Sequence, residues 1–117
     1  MARSKLLIAC PETNADLLYL GGFRAPDAFA YLETAGKKHI LLSDLEIDRG
    51  RAEAKVDSVE AFSEFSKLAE KTPGKTPSYS KVIATWLHSK NVSEVKVPTD
   101  FPFGHARDLK KSGIDVK

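Results

Sequence analysis

Ala28-Phe-Ala-Tyr-Leu-Glu-Thr-Ala-Gly-Lys-Lys-His-Ile-Leu-Leu-Ser-Asp-Leu-Glu46 is the stretch on which the fold turns. Residues 28–32 and 39–43 are apolar runs of strand length, joined by the polar connector Glu33-Thr34-Ala35-Gly36-Lys37-Lys38 with its single glycine. That spacing predicts a β-hairpin. Ser43-Asp44-Leu45-Glu46 then spells the Ser-x-x-Glu capping box, in which hydroxyl and carboxylate each satisfy an orphan amide. A helix is therefore predicted from about Asp44, weakened by Gly50.

Upstream, residues 5–10 hold the apolar run Leu6-Leu7-Ile8-Ala9 before Pro11, the pattern of a strand covered on both faces. Asn14 caps a short predicted helix through Leu17 and Leu18, which Gly21-Gly22 ends, and the loop 23–27 contains Pro26. Downstream, Val56 suggests a short strand, and Asp57-Ser58-Val59-Glu60 reads as the start of a helix with Phe62, Phe65, Leu68 and Ala69 on one face. The linker Lys71-Thr-Pro-Gly-Lys75 is expected to be among the most mobile segments.

The clearest amphipathic helix follows, with Thr76 as cap, Pro77 at the first helical position, and Tyr79, Val82, Ile83, Trp86 and Leu87 at helical spacing. Val95 and Val97 alternate with Glu94 and Lys96 as a strand. Phe103, Ala106 and Leu109 then form a helix stripe ending in Lys110-Lys111, with Gly113 as stop and Ile114-Asp115-Val116 as a last strand. The strand-helix-strand unit at 95–116 is expected to be parallel and right-handed. The element order gives an α/β domain with a mixed sheet and helices packed on it, a single domain over 1–117.

Composition narrows the function. With 42% hydrophobic and 29% charged residues the chain has a globular profile. Its 18 basic and 16 acidic side chains are interspersed, and Lys110-Lys111 is the nearest approach to a basic cluster, so no nucleic-acid partner is expected. Cys10 is the only cysteine, which fits a reducing, cytoplasmic setting. Arg3 and Lys5 precede an apolar run that Pro11 stops far short of a signal peptide or membrane span.

Chemistry is sparse. Asp44, Glu46 and Asp48 alternate, but a helix turns residues two apart onto different faces, so a capped helix start is preferred to a metal site. His39, His88 and His105 lie far apart and build no zinc spacing; they are read as surface or strand-edge residues. Burial at the end of an apolar strand would leave Cys10 inert. Gly21-Gly22-Phe23-Arg24 matches no phosphate-binding fingerprint, Arg49-Gly50-Arg51 reads as a solvated helix face, and Trp86 as core. Neither catalytic residues nor metal ligands are expected in this chain.

Four segments carry a family resemblance: Asn14-Ala-Asp-Leu-Leu-Tyr-Leu-Gly-Gly-Phe23, Ala25-Pro-Asp-Ala-Phe29, Lys37-Lys-His-Ile-Leu-Leu-Ser-Asp-Leu-Glu46 and Asp48-Arg-Gly-Arg51. Together they resemble the amino-terminal domain of the creatinase/prolidase family, and bacterial Xaa-Pro aminopeptidases most of all. Tyr19, Leu20, Gly22 and Phe23 stand at that family's Tyr-Leu-x-Gly-Phe element, and Ser43, Asp44 and Glu46 at its Ser/Thr-Asp-x-Glu turn. The resemblance implies a three-layer, ribonuclease H-like mixed sheet flanked by helices. Many members carry a helix before the first strand, whereas here that strand begins almost at once, at Lys5.

The family's peptidase chemistry lies in a following pita-bread domain with a two-metal site. The resemblance thus implies a non-catalytic amino-terminal domain whose parent is a metal-dependent Xaa-Pro aminopeptidase or dipeptidase. Two divalent ions (Mn, Co or Zn) would belong to that catalytic domain. The implied partners are the C-terminal catalytic domain, a second subunit in a homodimer, and proline-containing peptides. The expected role is to shape substrate access and subunit pairing, with Phe23 and Arg24 in their loop as substrate-access residues. A free-standing binding or assembly module of the same fold is the alternative, since fold alone does not confer function.

Overall fold

The hairpin at the centre of the sequence sets the sheet. In a computed structural model, which describes residues 4–9, 29–70, 77–98 and 101–117, strands β2 (Phe29–Thr34) and β3 (Lys37–Leu42) pair antiparallel with Thr34 opposite Lys37. The turn is shorter than the six-residue connector suggested. Only Ala35 (φ 53°) and Gly36 (φ 77°) separate the strands, and two positive φ values are what a two-residue turn matched to strand twist requires. The predicted helix after Asn14, Cys10, the loop 23–27, the linker 71–75 and the Thr76 cap lie outside the described residues.

β1 (Lys5–Ala9) pairs antiparallel with β2, and β4 (Ser58–Ala61) pairs parallel with β3, giving the order β1-β2-β3-β4. β5 (Glu94–Val95) and β6 (Asp115–Val116) form a parallel pair, as the strand-helix-strand reading predicted. A parallel bridge between Lys5 and Lys96, with Leu6 N–H donating to the Lys96 carbonyl at 3.0 Å and Lys96 N–H to the Ser4 carbonyl at 2.8 Å, joins this pair to β1. β2 alone runs against the others.

Helices cover both faces. Leu6, Ile8, Leu32 and Leu41 bury against α2 (Phe62–Ala69), α3 (Tyr79–Ser89) and α4 (Phe103–Lys111), while Phe29, Tyr31, Ile40 and Leu42 face Ile47 of α1 (Ile47–Glu53). The alternation along β2 and β3 sends successive side chains to opposite cores, which makes the sheet the middle layer of three.

Several local expectations are corrected. Ser43 makes no side-chain cap bond; Asp44–Glu46 form a 3₁₀ turn and the α-helix starts at Ile47. The capping carboxylates are engaged elsewhere, Asp44 Oδ1 accepting from Ser63 Oγ at 2.9 Å and Glu46 pairing with Arg49 at 3.4 Å. Asp57-Ser58-Val59-Glu60 is not a helix start, because Ser58–Ala61 is strand β4, two residues beyond the strand suggested at Val56. The period-2 alternation of Ser58 and Glu60 with Val59 and Ala61 wins there, since β3 offers a free edge to pair with.

Leu68 is 69% exposed, as α2 buries Phe65 and Ala69 instead. Ser78 rather than Thr76 caps α3, accepting from Lys81 N–H at 3.3 Å, so Pro77 stands before the helix. Phe103 is 79% exposed, and Leu109 is the one residue that α4 buries fully.

Gly50 is buried, and its place explains a glycine inside a helix. A Cβ there would overlap the Cδ1 methyl of buried Leu42 and lie 3.4 Å from Val59 Cγ1, so α1 reaches the sheet only without a side chain at 50. Gly50→Ala gains about 1 kcal/mol of helix propensity but forces an overpacking cost of about 1–3 kcal/mol. A net loss of about 1 kcal/mol in urea unfolding is expected; a gain in stability would show that Leu42 yields freely.

Candidate functional site

Because β1, β3, β4 and β5 are mutually parallel, their carboxyl ends share one rim of the sheet, the usual place for ligand sites in open α/β sheets. β3 runs into the 3₁₀ turn there, and β4 runs directly into α2. Ala9 and Phe29, which flank residues 10–28, pair with each other at the same rim. The first turns of three helices meet beside it: the Phe62 and Tyr79 rings stack at 5.3 Å and 17°, and Tyr79 contacts the His105 ring at 5.3 Å. Ser80 Oγ and His105 Nδ1 share a hydrogen bond at 2.9 Å, and burial pushes the Tyr79 hydroxyl up to about 12. Leu45 and Phe103 are exposed apolar side chains, on the 3₁₀ turn and on the first turn of α4.

A second polar cluster lies between β3, β4 and α3. Ser58 and Glu60 stand opposite His39 and Leu41 on the face that packs α3. Trp86 Nε1 donates to Glu60 Oε2, and Lys90 Nζ donates to Glu60 Oε1 at 2.7 Å. The two charged side chains are only 23% and 17% exposed. His39 Nδ1 and Ser58 Oγ are 2.5 Å apart, and burial, with Lys90 second, holds the His39 imidazole below its ordinary range. On the opposite face Tyr31 is buried, its hydroxyl has no partner among the described residues, and burial pushes it up to about 12.

Phe23 and Arg24 lie outside the described residues. Asp44 and Glu46 sit on the 3₁₀ turn and Asp48 on α1, where the first two are tied to Ser63 and Arg49. Arg49 also pairs with Glu53 at 2.9 Å, in keeping with a solvated helix face. Each histidine has a local partner, His88 Nε2 meeting the Ser112 carbonyl at 3.2 Å. His39 departs from the surface reading, since it is half-buried on a strand with neighbours on both sides.

Among the described residues no three histidine, cysteine or acidic side chains are placed to hold a metal ion, so they do not fit a pair of divalent cations. Glu60 and Lys90 were missed in the sequence. The signal available for Glu60 was the alternation of 58–61, read as a helix start.

Compared by sequence, the chain matches no protein-family model and no curated protein. Solved structures do match. The chain superposes on a prolidase from Pyrococcus furiosus (TM-score 0.64, 9% identity, 97% of this chain and 28% of that chain). It superposes equally on an XXA-pro aminopeptidase from Streptococcus pyogenes (TM-score 0.64, 18% identity, 97% of this chain and 75% of that one). A third is the X-prolyl aminopeptidase from Caenorhabditis elegans, described as a cytosolic enzyme with a di-nuclear active site (TM-score 0.60, 10% identity, 98% of this chain and 19% of that one). The chain thus spans little more than a quarter of the prolidase's length. No helix among the described residues is long and apolar enough to cross a membrane. Identities this low speak to architecture alone, and the architecture is one that the chain shares with part of these prolidase and X-Pro aminopeptidase chains.

Proposed function

We propose that this chain, over 1–117, is the non-catalytic amino-terminal domain of a cytoplasmic, metal-dependent proline-specific peptidase, and that it shapes substrate access and subunit pairing. The observation that carries the reading is the superposition of 97% of the chain on a segment of much longer prolidase and X-Pro aminopeptidase chains. The di-nuclear active site named for the nematode enzyme supports a parent with two divalent ions, Mn, Co or Zn, held outside this segment. Its partners would be the C-terminal catalytic domain, a second subunit, and peptides with proline after the scissile bond. Phe23 and Arg24 remain the proposed access residues, Arg24 offering a two-pronged contact to a peptide carboxylate.

The experiment compares the 117-residue piece with the longest reading frame that contains it, each supplied with manganese, cobalt or zinc and assayed on short and long Xaa-Pro peptides. Hydrolysis is expected only from the longer chain. Arg24→Ala in that chain is expected to change kcat/KM by more than twofold on one peptide length, or to shift the dimer fraction. A longer chain with no Xaa-Pro activity under any metal sinks the peptidase reading in favour of a free-standing module; unchanged kinetics and assembly sink Arg24 alone.

A further inference from the structure

The cluster of His39, Ser58, Glu60, Trp86 and Lys90 binds the last strand of the four-stranded sheet to the central helix. Among the described residues β4 has a hydrogen-bonded neighbour on one side only, β3, over four residue pairs. Its tie to α3 is the Glu60 carboxylate, whose two oxygens are taken by Trp86 Nε1 and Lys90 Nζ. Two residue pairs along, on the same face, Ser58 is bonded to His39 of β3. With the imidazole neutral the charges balance, one carboxylate against one ammonium.

We propose that this cluster is a proton-operated latch: protonation of His39 places a second cation near Lys90, in competition for the Glu60 carboxylate, and releases β4 from β3 and α3. The groups facing His39 are Lys90 from α3, Glu60 from β4, Asp57 just before β4, and Lys37 of its own strand. Glu60 and Asp57, the latter with its Oδ2 accepting from the Lys38 backbone N–H at 2.7 Å, favour a charged ring, but burial and Lys90 outweigh them. A neutral Nδ1 either accepts from Ser58 or donates to it, according to tautomer, whereas an imidazolium donates only.

The sign follows from proton linkage. Burial and Lys90 hold the folded imidazole below its ordinary range, so the open form, in which His39 meets water, binds the proton more readily. The latch is closed above about pH 6.5, the ordinary histidine value, and loosens as pH falls below it. One proton limits the change in the opening equilibrium to about ten-fold per pH unit.

Amide hydrogen exchange of residues 58–61, corrected for intrinsic rates and compared at pH 7.5 and 5.5, tests this directly. In the unmutated chain, protection at β4 is expected to fall several-fold on acidification while the β1–β2 amides change little. In His39→Gln, which retains a hydrogen-bonding group but cannot titrate, that loss is expected to vanish. Lys90→Met removes the competing cation, so the acid response should shrink or reverse as a charged His39 turns to Glu60. Equal loss in the unmutated chain and His39→Gln, loss spread evenly over all strands, or an undiminished response in Lys90→Met overturns the proposal.

Discussion

Trp86→Ala should lower the free energy of unfolding by about 3–5 kcal/mol, the largest loss expected from any one substitution discussed. Trp86 is fully buried on α3, packed among Val82, Ile83 and Leu87 on the helix face that meets the sheet. Removing the indole opens a cavity that neighbouring side chains, already held by the sheet, fill only partly. It also strips Glu60 of one of its two donors. In urea titration the midpoint should fall with the slope unchanged, because the surface exposed on unfolding is nearly the same. Trp86→Phe separates the two contributions: it keeps most of the volume, loses the N–H, and should cost about 1–2 kcal/mol. A Trp86→Ala loss under about 1 kcal/mol would contradict the packing described.

Glu60→Ala should cost about 2–3 kcal/mol, well above the 0–1 kcal/mol typical of an exposed ion pair. The reason lies in what remains. Lys90 is 17% exposed and would keep its charge beside the sheet without a carboxylate, while the Trp86 N–H would lose its acceptor inside the core. Most of the loss is thus a penalty for orphaned groups rather than the strength of the pair. Pairing Glu60→Leu with Lys90→Met should recover at least half of the single-site loss, because no unmatched charge is left. If Glu60→Ala costs less than about 0.5 kcal/mol, the carboxylate is solvated and the tie between β4 and α3 is nominal.

The residues that were legible in the sequence are those whose neighbours in the chain decide their structure. The polar connector Glu33 to Lys38 between two apolar runs announced a hairpin, and Val82, Ile83, Trp86 and Leu87 at helical spacing announced a buried face. The errors came where tertiary partners decide. Ser43 to Glu46 carries the letters of a capping box, but Ser63, brought in by folding, takes Asp44, and the helical neighbour Arg49 takes Glu46. Residues 58–61 fit a helix start or a strand about equally in isolation, and the free edge of β3 chose strand. Phe103 sits in helical register with Leu109, yet only Leu109 faces the sheet.

The polar cluster was the least legible part. His39, Glu60 and Lys90 belong to three elements, and only the β3–β4 register and the docking of α3 place them together. The family resemblance had the opposite character: it rested on short motifs between Asn14 and Arg51, and the superposition supports the architecture those motifs implied.

The bridge from Lys5 to Lys96 bears on how the chain comes to be folded as it is made. β1 finds β2 soon after it is made, but among the described residues its other edge is closed by Lys96, far later in the sequence. Until Lys96 emerges, a strand of mostly aliphatic side chains has unpaired N–H and C=O groups facing outward. Contacts so distant in sequence close slowly, so the nascent chain has a period in which this edge is open to other chains. Lys5 at the start of that strand puts a charge at the open edge, the kind of residue that discourages strand-to-strand association before the final pair arrives.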